Sequence, residues 1–240
     1  MTDQKFTVTL TPKKVVYFLS AIAVFLIIAH VIGIFMKFTL GHNSVYGFVP
    51  FSNLDAEKNA STLFSTCLFL ISSILFLIVW KVRLKIDKHQ WIWLFLSGLF
   101  CFLAIDEFSE IHERLVEPVR SALHTSGFLS FAWVIPYGIA GILLSIFLFP
   151  FFLQIDKKIR YWFGLSALIY FVGALGFEMI GAWYVSTRDF DIVCGFLIMV
   201  EESLEMTGLI MLIYSLLSLL QSKYPEFVII LPSASESSKY

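Results

Sequence analysis

Six apolar runs, each close to the roughly 20 residues that a helix needs to cross a bilayer, take up most of this 240-residue chain. They fall at about 15–35, 61–82, 90–110, 129–153, 161–184 and within 192–220. Inside lipid every backbone N–H and C=O must be satisfied within the protein, so such runs fold as helices. The expected fold class is all-α: a polytopic integral membrane bundle of six transmembrane helices. Composition agrees, with 58% hydrophobic residues, 15% charged residues and a mean hydropathy of +0.84. A soluble domain of this size would lack the polar surface to cover such a core. The 26 phenylalanines suit lipid-facing helix surfaces.

The first run is too long for a signal-peptide core and no small-residue cleavage site follows it, so it reads as a retained helix. Pro136 and Pro150 lie in the fourth run, and a kink near Pro136 is expected. The sixth run exceeds what a bilayer needs, so it tilts or extends beyond the membrane. Residues 1–14 form a polar N-terminal segment, 15–220 the six-helix domain and 221–240 a flexible polar tail. Asn59 and Ser61 are placed to cap the second span. No internal repeat and no second domain are visible.

Six spans put both termini on one side, and charge chooses that side. Of 17 Lys and Arg, only Lys37, Lys58, Arg114, Arg120 and Arg188 fall on the face opposite the termini. The positive-inside rule therefore places both termini in the cytoplasm. A compact six-span chain of this kind is expected in a bacterial inner membrane, with the far side periplasmic. The net charge of −1 and the absence of a basic patch with interleaved aromatics exclude nucleic acid as a partner. Cys67, Cys101 and Cys194 are scattered and read as buried small hydrophobes.

The orientation gathers the ionisable residues into a layer. His30, Asp106, Glu107, Glu110, Glu178, Glu201 and Glu202 fall in the outer half of their spans, with Glu205 near mid-depth and Asp55 and Glu57 in the adjoining loop. Ionisable groups at membrane depth are expensive and mark functional sites by default. In a regular helix Asp106, Glu110 and Glu113 share one face, while His112 points well away. Glu201 and Glu205 share a face on the last span. Nearby cations are few, so either several carboxylates are protonated or a metal ion sits among them. The expected ligands are Asp106, Glu110, Glu178, Glu202 and Glu205, then Glu107, Glu201, His30 and His112. Carboxylates favour hard or borderline ions: Fe, Mn, Zn, Ca or Mg. His42, His89 and His124 read as surface residues, and Met36, Met179, Met199 and Met206 as packing.

Three functional classes follow. The first is a metal-dependent enzyme acting on a lipid or small periplasmic substrate, with the metal polarising an oxygen or activating water. The second is a transporter or channel for protons or divalent cations. No ionisable group lies in the cytoplasmic half of any span, so no complete polar pathway is visible. The third is an accessory or assembly subunit whose acidic layer sets helix packing.

Four stretches read together resemble a pattern in uncharacterised multi-spanning bacterial membrane proteins. They are Asn-Leu-Asp-Ala-Glu at 53–57, Asp-Glu-Phe-Ser-Glu-Ile-His-Glu at 106–113, Gly-Phe-Glu-Met-Ile-Gly-Ala-Trp-Tyr at 176–184, and Glu-Glu-Ser-Leu-Glu-Met-Thr-Gly at 201–208. The resemblance spans about residues 51–220 and implies a choice of residues but no activity. A looser similarity is to di-iron carboxylate bundles. The chain departs from them because Ser109, not glutamate, stands three residues before His112. The histidine clusters of membrane desaturases are absent too.

Overall fold

The computed structural model describes residues 11–56, 58–83 and 90–223. Glu57, His89 and the expectations for the N-terminal segment, the first basic loop and the tail lie wholly or largely outside these residues. Among the described residues every regular element is a helix, and there is no strand. Six helical segments are long and apolar enough to cross a membrane. They are α1 (Pro12–Phe38), α3 (Ala60–Arg83), α4 (Gln90–Ser109), α6 (Val134–Phe152), the continuous segment Lys157–Thr187, and α9 (Ile192–Lys223). The segment Lys157–Thr187 comprises α7 (Lys157–Phe171), a π-helical stretch Val172–Phe177 and α8 (Glu178–Thr187). Short helices α2 (Phe48–Ser52) and α5 (Val116–Leu123) lie in the connections.

Local chemistry accounts for the boundaries. Thr11 caps α1 by accepting from the Lys14 N–H, and Pro12 takes the first helical position, where a missing N–H loses nothing. Asn59 caps α3, its Oδ1 accepting from the N–H groups of Ser61 at 2.9 Å and Thr62 at 3.1 Å. The kink expected at Pro136 is replaced by a helix start. Pro136 sits in the first turn of α6, where its ring breaks no intrahelical bond. Cys194 is buried, but Cys67 and Cys101 lie on exposed helix surfaces, contrary to their reading as buried residues.

The last helix is the axis of the bundle. It packs against α1, α3, α7, the π-helical stretch and α8. Gly208 permits its close approach to α7: a Cβ there would lie 2.9 Å from the Tyr170 nitrogen and 3.0 Å from the Ser166 oxygen. Helices α3 and α4 are joined by a crossed pair of hydrogen bonds. Ser73 Oγ donates to the Ser97 carbonyl at 2.8 Å, and Ser97 Oγ to the Ser73 carbonyl at 2.9 Å. Small hydroxyl residues serve this purpose between apolar helices. Around them Phe76, Val79, Trp93, Ile213, Leu216, Leu219 and Leu220 form a closed apolar core. Phe76 meets Phe100 at 5.1 Å and Trp93 meets Phe151 at 5.0 Å between ring centroids. Helix α6 is mostly exposed and reaches the rest chiefly through its side chains. Exposed Phe18, Phe25, Ile146 and Leu168 continue an apolar outer surface.

Candidate functional site

The site is built on the way α4 stops. Its helix ends at Ser109, and Glu110 adopts φ +55°, the left-handed conformation that ends many helices. The Ile111 N–H then reaches back to the Asp106 carbonyl at 3.3 Å, and Arg114 Nη2 donates to the Ser109 carbonyl at 3.0 Å. The expectation of a regular helix through Glu113 is thereby corrected. Glu110 and Glu113 do not continue the Asp106 face of α4, and His112, expected to point away, is folded back onto Asp106.

Asp106 is buried, at 5% exposure, and its carboxylate accepts three hydrogen bonds. The His112 N–H donates to Oδ1 at 3.0 Å, His112 Nδ1–H to Oδ2 at 3.2 Å, and the Tyr137 hydroxyl to Oδ1 at 2.8 Å. Three donors hold this carboxylate ready for a positive partner, and the imidazole supplies one. Burial draws the His112 pKa down. The Asp106 hydrogen bond and charge, then those of Glu107 and Glu113, outweigh it and leave the pKa raised to about 9. The group is an imidazolium at neutral pH. Its Nε2 has no hydrogen-bond partner among the described residues.

Aromatic side chains hold the histidine from α6. The His112 ring meets Trp133 edge-on at 4.8 Å and Tyr137 at 6.1 Å, and those two rings are perpendicular at 5.4 Å. Trp133 Nε1 donates to Glu178 Oε1 at 2.7 Å, so the start of α6 ties the end of α4 to the start of α8.

The remaining carboxylates converge on this frame. Glu107 lies within electrostatic reach of His112, Asp106 and Glu113. Glu202 faces Glu205, Glu107, Asp55 and Glu178, and Glu201 lies beside Glu178. Glu205 lies among Glu107, Glu178 and His112, with the Tyr170 hydroxyl on it. The π-helical stretch allows this crowding. A Cβ on Gly173 would stand 2.9 Å from the Glu201 carbonyl and 3.1 Å from Glu205 Cγ. Glu113 is held above its ordinary value by the surrounding protein. The positive His112 opposes this, and the negative Glu178, Asp55 and Glu110 add to it.

Two expected ligands are otherwise engaged. Glu110 pairs with Lys58 at 3.1 Å. His30 is a buried clamp: Nδ1 accepts from the Leu54 N–H at 3.0 Å, and Nε2 faces the Gly195 carbonyl at 3.1 Å, to which it must donate. Both nitrogens are thus spent on backbone. Among the described residues no three His, Cys, Asp or Glu side chains stand close enough together to hold a metal ion. His42 and His124 are exposed. The sequence reading missed Trp133, Tyr137, Tyr170 and Lys58. Trp133 and Tyr137, four apart at the start of a span, carry the polar handles that buried aromatics must satisfy. In a chain that is 17% aromatic they did not stand out.

A family model described as a domain of unknown function (DUF8692) matches residues 18–220. The chain belongs to this family. The matched region contains every site residue described above. No curated protein and no solved structure matches the chain.

Proposed function

We propose that the protein is a six-span membrane protein of a bacterial inner membrane, with cytoplasmic termini and a one-sided acid–base site in its outer half. In this reading it is an enzyme that moves a proton on a lipid or small polar substrate. His112 donates a proton from Nε2 to the substrate, Asp106 orients the ring and stabilises its charge, and a carboxylate among Glu107, Glu202 and Glu205 removes a proton from the substrate and returns it to His112. The carrying observation is the Asp106–His112 pair, whose Nε2 is free and whose charge is felt by Glu107, Glu113 and Glu205. An imidazolium held by an orienting carboxylate, opposite a second carboxylate that acts as base, is a common plan of proton-transfer sites.

The closed apolar core on the cytoplasmic side of the site supports an enzyme over a transporter. Among the described residues, no Asp, Glu, His, Lys or Arg lies beside Phe76, Trp93, Ile213 and Leu216 between the carboxylates and the basic helix ends.

The second reading is a divalent metal centre. What favours it is the same free Nε2, since an imidazole backed by a carboxylate through Nδ1 is a common metal ligand. Oxygen ligands would have to come from Glu107, Glu113 or Glu205, drawn closer to His112 than they stand in this structure.

Both readings meet one experiment. Purified protein in nanodiscs is incubated with an extract of its native lipids, products are followed by mass spectrometry, and bound metal is quantified. The acid–base reading expects turnover in metal-free protein and a fall of about 100-fold or more in His112→Asn. Turnover unchanged in His112→Asn would contradict it. Stoichiometric metal that is lost in His112→Asn would favour the second reading.

A further inference from the structure

A mainly apolar pocket with a polar mouth lies outside the His112 site, where the end of α1 meets α2 and the start of α9. Its cavity volume is about 80 Å³, room for a few heavy atoms such as a phosphate group and too little for a whole small ligand. Its floor offers nothing to a ligand's polar end: Gly33, Ile34 and Gly195 are there, and both nitrogens of His30 are already engaged. Its mouth is different, carrying Lys37, Asn43 and Asn53.

Lys37 is held in place without being neutralised. Its Nζ stands 5.1 Å from the Phe38 ring centroid and 4.8 Å from that of Phe190, and these two rings stack at 6.1 Å. Among the described residues no carboxylate lies within ion-pair distance of this ammonium, although Asp55 is close enough to feel its charge. The side-chain amides of Asn43 and Asn53 make no hydrogen bond among the described residues. One fixed cation and two uncommitted amides are the donors that recognise a phosphate. The same stretch of α1 exposes Val31, Ile32 and Phe35, a surface for acyl chains. In an outer layer otherwise dominated by carboxylates, an unneutralised cation over a pocket calls for an anion.

We propose that this pocket binds the phosphate-bearing headgroup of an anionic phospholipid, with Lys37 and the two amides on the phosphate and the acyl chains along α1. The proposal rests on the membrane reading above, which resistance of the protein to alkaline extraction from membranes tests separately.

Native mass spectrometry of the purified full chain with dioleoyl phosphatidylglycerol, dioleoyl phosphatidylcholine or inorganic phosphate tests the proposal. The expected result is one tightly held phosphatidylglycerol per chain, weakened about tenfold or more in Lys37→Gln. Lys37→Arg, which keeps the charge and the stacking, retains it. Arg120→Gln, which removes an outer-face charge paired with Glu117, leaves it unchanged. A Lys37→Gln protein with wild-type melting and wild-type lipid retention would overturn the proposal. Equal losses in Lys37→Gln and Arg120→Gln would also overturn it, by reducing the effect to general surface charge. Phosphatidylcholine held as tightly as phosphatidylglycerol would remove the anionic requirement. Inorganic phosphate competing at equal concentration would make the ligand a free anion rather than a lipid.

Discussion

Asp106 and His30 are both buried polar residues in apolar spans, and the structure uses them in opposite ways. Asp106 gathers three donors and presents a charged histidine whose Nε2 remains free. His30 gives both nitrogens to backbone and presents nothing. Sequence distinguishes them poorly, because each is one polar residue among apolar neighbours, and only the partners decide. Replacing His30 with Leu would leave the Leu54 N–H without its acceptor and remove a second donor from the Gly195 carbonyl. A loss of about 2–4 kcal/mol of stability is expected in denaturant titration, with bound metal and lipid turnover unchanged. Asp106→Asn should lower the His112 pKa by about one unit or more, read from the imidazole NMR shifts against pH. Trp133→Phe removes the donor to Glu178 and should cost about 1–3 kcal/mol, whereas Trp183→Phe, whose ring stacks on Phe128 without such a bond, should cost less.

At the scale of elements, the six long helices were legible because apolar runs of bilayer length permit little else. Asn59 as the α3 cap was legible for a similar local reason. Two features that make the site were not. The end of α4 carries no glycine to mark it, yet Glu110 takes the left-handed turn that a glycine would usually occupy. That turn, paired with Lys58, brings His112 home. The π-helical stretch Val172–Phe177 has no pattern distinguishing it from α-helix, and such stretches gather at functional sites. Here it sets Gly173 against the backbone of Glu201. Gly173→Ala places a Cβ 2.9 Å from a carbonyl oxygen that cannot rotate away. The expected result is a loss of about 1–3 kcal/mol and altered spacing between α9 and the fifth span, read by thermal melting and by cysteine cross-linking across the pair. An Ala variant as stable as wild type would show that this contact is slack.

For the whole molecule, gathering the acids in one layer required only the order and direction of the spans, which is why Glu107, Glu178, Glu201, Glu202 and Glu205 were found together. The aromatic frame and the folded-back histidine depend on side-chain packing, which periodicity does not encode. The layer's charge makes stability depend on pH. His112 is raised from 6.5 to about 9, and Asp55 and Glu113 are raised from ordinary carboxylate values. The folded chain therefore binds these protons more tightly than the unfolded chain, and stability falls as pH rises. The His112 share is complete below about pH 6.5 and gone above about pH 9. A melting temperature that falls between these limits, and falls less in Asp106→Asn, is expected. One that rises would contradict this linkage. The proposed orientation predicts that a C-terminal reporter active only in the cytoplasm will be active, and an inactive one would invert the layer.

The most direct measurement is the titration of His112 itself. In protein carrying isotope-labelled histidine, with the other histidines assigned by substitution, its imidazole resonances should move with a pKa of about 9. That value requires the end of α4, the start of α6 and the neighbouring carboxylates to meet as described. A pKa near the ordinary 6.5 would mean that His112 is not held against Asp106, and the acid–base site would fall with it.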